Sequence, residues 1–118
     1  MKNDLIERTF NFSNDIIDLV EELPQTYVTR VIINQIVKSG TSVGANYRAA
    51  QRARSDKEFI AKMNIVLEET DETLFWLEII KYKNWIADDL INKMMRDADE
   101  LTAIFVTILK NINNKNKK

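Results

Sequence analysis

Glu68, Glu69 and Glu72 form an EExxE run, and Asp97 and Glu100 lie three residues apart further along the chain. On a helix, residues three or four apart share a face, so Glu68 and Glu72 point the same way. Two helices that each present carboxylates can hold magnesium, which takes oxygen ligands. That arrangement is the basis of a magnesium-dependent nucleotide pyrophosphohydrolase. Such sites usually use a second ExxD sequence, whereas here the order is Asp97-xx-Glu100. The alternative is an acidic face that is solvated or paired with arginine. A second constellation is cationic. Arg48 and Arg52 are one turn apart, Tyr47 is beside them, and Arg54 and Lys57 lie just beyond. Arginine with an aromatic suits phosphate and base contacts. The competing reading is ion pairing with the acidic third helix, worth about 0 to 1 kcal/mol per exposed pair.

Much other chemistry is excluded by what the 118 residues lack. There is no cysteine and no histidine. Thiolate chemistry, disulfides and every Ser-His or Cys-His arrangement are therefore absent, and zinc is left without its preferred ligands. Ser39, Ser42, Asn46 and Thr70 read as a buried polar layer, since no base is present to activate either serine. No cofactor is expected. Trp76 and Trp85 read as packing residues.

Net charge is −1 and the pI is about 5.5, which argues against indiscriminate nucleic-acid binding. The charge is unevenly spread. Residues 30–57 carry six basic groups against one acid, while residues 58–109 carry eleven acids against five bases. The N-terminus lacks the apolar run of a signal peptide, and no stretch of about 18 apolar residues is present. A cytoplasmic protein is the expectation, with no membrane association.

Hydrophobic periodicity predicts four helices. The first runs from about Asp4 to Glu22 and ends at Leu23-Pro24, because the residue before proline leaves the helical region. The second runs from Gln25 or Thr26 to about Arg54. Its seam of Ile32, Ile36, Gly40, Val43, Tyr47 and Ala50 steps by threes and fours. The third opens at Ser55, with Glu58 three residues on as a capping box. The fourth begins near Asp88 and reaches about Asn111. Short connections make consecutive helices antiparallel neighbours. The expected fold is an all-α, antiparallel up-and-down four-helix bundle over residues 1–112, followed by a polar, lysine-rich tail at 113–118. Both glycines, Gly40 and Gly44, fall inside the second helix one turn apart. Each costs about 1 kcal/mol relative to alanine there, so another backbone is expected to approach that face. The approach is either within the bundle, with a bulky residue such as Trp76, or at a subunit interface.

The run SGTSVGANYRAAQRA at Ser39–Ala53 is followed by Ser55, Glu58-Phe59-Ile60 and Lys62. Glu69-Thr70-Asp71-Glu72-Thr73-Leu74-Phe75-Trp76-Leu77 comes later. These segments resemble the four-helix-bundle family encoded in intervening sequences of bacterial 23S rRNA genes. The resemblance covers essentially the whole chain. One departure is Ala49, which stands where many members have glutamate, so no role of that carboxylate transfers. The resemblance implies a bacterial or archaeal source and a bundle that assembles into a ring, typically a homopentamer. A relative is the accessory protein of diversity-generating retroelements, which binds a reverse transcriptase and nucleic acid and is far more basic than this chain. A non-enzymatic scaffold or adaptor is therefore expected, with RNA or a reverse-transcriptase-like protein as partner.

Overall fold

The computed structural model describes residues 4–116. Four helices follow in order: α1 (Asp4–Val20), α2 (Tyr27–Gln51), α3 (Asp56–Lys83) and α4 (Asp88–Lys115). Among the described residues there are no strands. The helices pack as an antiparallel up-and-down bundle with overall dimensions of 52 × 25 × 20 Å. Cross-helix contacts fix the directions. They come in pairs that run in opposite order: Ile16 with Gly40 and Thr9 with Gly44 (α1 to α2), Ser39 with Thr73 and Ser42 with Glu69 (α2 to α3), and Lys81 with Asn92 and Asp56 with Lys115 (α3 to α4). Consecutive helices pack most closely, and the α1–α4 seam is the most open. Ion pairs cross that seam, Arg8 to Glu100 and Lys93 to Asp15.

Local chemistry explains where the helices begin and end. Thr26 and Thr29 form a reciprocal capping box at the start of α2, with Thr29 N–H donating to Thr26 Oγ1 at 3.1 Å and Thr26 N–H to Thr29 Oγ1 at 2.9 Å. Ser55 Oγ accepts the Glu58 N–H at 3.1 Å and caps α3. Asn84 closes α3 in the left-handed conformation, at φ 58°, which asparagine tolerates better than most residues. Asp88 and Asp89 lie at the positive end of α4. The Ser55→Ala variant is expected to lose about 1 kcal/mol of stability, read as a lower urea midpoint at unchanged m-value.

The core is mostly apolar, with a few buried serines and threonines among its hydrophobic side chains. Ile16, Ile36, Met63, Leu77, Met94 and Phe105 are among its fully buried side chains. α1 stops at Val20, two residues earlier than expected. α4 continues to Lys115, four residues beyond its expected end, so Asn113–Lys115 of the expected tail are helical. Residues 117 and 118 lie outside the described residues.

Candidate binding surfaces on the bundle

The two glycines lie against α1, not against Trp76. A Cβ on Gly40 would stand 2.9 Å from Ile16 Cγ2, and one on Gly44 would stand 2.8 Å from Ser13 Oγ and 3.1 Å from the Thr9 carbonyl oxygen. The Ser13 hydroxyl donates to the Gly40 carbonyl at 2.8 Å and accepts the Gly44 N–H at 3.2 Å. One side chain of α1 therefore bridges the two backbone groups of a single turn of α2. Trp76 is on α3, where its Nε1 donates to Glu72 Oε2 at 3.2 Å and its ring meets Phe75 edge-on.

The predicted cationic cluster separates into three parts. Tyr47 does not belong to it. The residue is only 3% exposed, and its ring packs against Phe105 of α4 at 6.0 Å between centroids. This corrects the expectation of an aromatic partner for the arginines, and the cause is that Tyr47 lies on the buried seam of α2. Arg48 turns toward α1, with its guanidinium 5.8 Å from the centroid of the Phe10 ring, and not toward the acids of α3. Arg52, Arg54 and Lys57 are exposed at the α2–α3 connection. Arg54 approaches Glu58 at 3.9 Å, and none of the ion pairs among the described residues involves Arg48, Arg52 or Lys57. Lys115 approaches Asp56 at 4.0 Å, so the end of α4 adds a cation at this same end of the bundle.

The carboxylates do not converge. Glu69 faces Ser42 and Lys38 of α2, and burial followed by the charge of Glu72 raises its pKa above the ordinary carboxylate value. Glu72 is engaged with Trp76. Asp97 accepts from Lys93 at 3.1 Å, and Glu100 pairs with Arg8 of α1, which turns both toward a different seam from Glu69. Among the described residues, no group of three or more carboxylates is placed to hold a metal ion. The expected polar layer is also divided. Thr73 Oγ1 lies 2.8 Å from Ser39 Oγ, whereas Asn46 and Thr70 bond within their own helices, to the Ser42 and Val66 carbonyls. Ser13 and Thr73, two buried hydroxyl residues that bridge helices, were not legible as such in the sequence. Their partners are 27 and 34 positions away.

Besides Tyr27 and Tyr82, two phenylalanines are exposed on the outer surface. Phe10 on α1 and Phe75 on α3 are each 52% exposed. Phe10 borders a groove of about 260 Å³ between α1 and α2, lined also by Asn14, Ile17, Thr41, Ala45 and Arg48. The groove exists because glycine and alanine put no bulk on that side of α2.

This geometry defines the class as an antiparallel up-and-down four-helix bundle with a clasped α1–α2 pair. The chain belongs to the 23S rRNA-intervening sequence protein family, whose sequence profile matches residues 1–107. A similar solved structure is a protein of unknown function from the S23 ribosomal protein family of Bacteroides thetaiotaomicron VPI-5482. It is 33% identical, covers 89% of this chain and 97% of its own, and superposes with a TM-score of 0.82. No curated protein matches the chain. Among the described residues, no helix is long and apolar enough to cross a membrane.

Proposed function

We propose that this protein is a non-enzymatic cytoplasmic scaffold that assembles into a ring of copies, five by family likeness, and holds RNA at one end of each bundle. The observation that carries the RNA reading is the cationic end formed by Arg52, Arg54, Lys57 and Lys115. Arg52 and Lys57 make none of the ion pairs among the described residues, so their charge is available to phosphates. Self-association is supported by the half-exposed Phe10 and Phe75, which the chain's own core does not cover. The separated carboxylates give the magnesium-dependent hydrolase no geometric support.

The test pairs Arg52→Glu with Lys57→Glu. The double variant is expected to lose RNA retention in filter binding and to lower the salt slope by about 2, while the mass of the assembly stays the same. Equal retention by the variant would refute the RNA reading. Retention of a reverse-transcriptase-like protein in place of RNA would reassign the same end to a protein partner.

A further inference from the structure

Phe75 stands at the centre of an acidic patch. Glu68, Asp71, Glu72 and Glu78 lie seven, four and three residues before it and three residues after it, so all surround it on the outer side of α3. All four are exposed. The Phe75 ring is held edge-on to Trp76, with 5.0 Å between centroids and 71° between planes, and Trp76 is in turn tied to Glu72. The result is a supported aromatic knob inside a ring of negative charge.

The α1–α2 groove has the opposite character. Its floor is set by the small residues Gly44 and Ala45, its walls include Phe10 and Ile17, and Arg48 is the one charged residue among the described residues that line it. Arg48 rests over Phe10, where it can meet a carboxylate without losing its aromatic contact. No carboxylate pairs with Arg48 among the described residues.

We infer that the groove receives Phe75 of a second copy of this chain, with Arg48 facing the acids around that ring. The two surfaces complement each other in shape and in sign. The knob is on α3 and the groove between α1 and α2, so they are two different surfaces of the chain. Each copy gives a knob to one neighbour and a groove to the next. Such a head-to-tail contact closes into a ring when the rotation allows and otherwise extends as a chain. Charge around the knob fixes its orientation and disfavours knob-to-knob pairing. This inference rests on the self-association proposed above and names the surfaces that carry it.

The experiment measures mass by light scattering on the full chain, with circular dichroism melts as the control for folding. Wild type is expected to run as several copies. Arg48→Glu and Glu72→Arg, each alone, are expected to reduce the mass to one copy without lowering the melting temperature. Mixing the two single variants is expected to restore association, because both mixed contacts then pair opposite charges. Arg48→Glu with Glu72→Arg in one chain is expected to restore the multi-copy mass. Phe75→Ala is expected to give single copies in every combination. A wild-type assembly that survives Arg48→Glu and Phe75→Ala unchanged would overturn these surfaces and leave self-association standing. A wild-type protein of one-copy mass would overturn self-association itself.

Discussion

Phe105→Ala is expected to destabilise the bundle by about 3 to 5 kcal/mol, the cost of deleting a large buried aromatic and leaving its cavity. Phe105 has no solvent exposure and lies on α4. Its ring meets that of Tyr47 on α2, so it joins two helices that are diagonal in the bundle. Truncation removes that contact and leaves Tyr47 without its ring partner. Against a domain stability of about 5 to 15 kcal/mol, the loss is a large share of the whole. Thermal and urea unfolding followed by circular dichroism would measure it. Phe105→Leu fills most of the space and should cost clearly less. Equal stability of the Ala variant and wild type would mean that the core collapses around the site without penalty.

Gly40→Val is expected to cost about 2 to 3 kcal/mol, near the top of the usual range for overpacking. The added Cβ meets Ile16 Cγ2 at 2.9 Å and both Ile16 Cβ and Cγ1 at 3.1 Å. Isoleucine in a helix has one strongly preferred χ1 rotamer, so Ile16 cannot swing aside. Glycine is itself a poor helix former, and replacing it recovers up to about 1 kcal/mol, less for valine than for alanine. The clash outweighs that gain. A double-mutant cycle with Ile16→Ala would isolate the contact, since the smaller partner makes room for the valine side chain. The combined variant should be more stable than the sum of the two single losses predicts. Strict additivity would show that the two residues do not meet.

The architecture was legible because apolar residues in every segment recur at threes and fours, and because Ser55 and Pro24 mark breaks that helices respect. Tyr47 shows how a residue can be read correctly and still be assigned a wrong neighbour. Its place on the seam with Val43 and Ala50 already put it inside, yet its adjacency to Arg48 suggested a shared surface. Adjacent positions on a helix are about 100° apart, so the two side chains leave in different directions. The direction of Arg48 follows from Gly44, four residues earlier on the same side of α2 and packed against α1. The partner of the glycines was not legible at all. A serine on α1 that bonds backbone groups of α2 leaves no trace in periodicity or composition. The extra turn at the end of α4 was hidden by asparagines and lysines, which are as common in tails as in exposed helical ends.

Ser13 also bears on a problem that apolar packing alone leaves open. A heptad-like seam looks much the same after one helical turn, so α1 displaced by about 5.4 Å along α2 would still set oil against oil. Slipped one way, Ile16 would meet Ile36 in place of the gap at Gly40, and slipped the other way, Ser13 would lie between Gly44 and Arg48 and lose one of its two glycine partners. Ser13 and the two glycines thus act as an index mark, a notch and pin that distinguish one alignment from its near-degenerate neighbours. Their contribution is to uniqueness, which a melting temperature does not report. Loss of the pin would appear as doubled amide resonances from helices α1 and α2 before it appeared as unfolding.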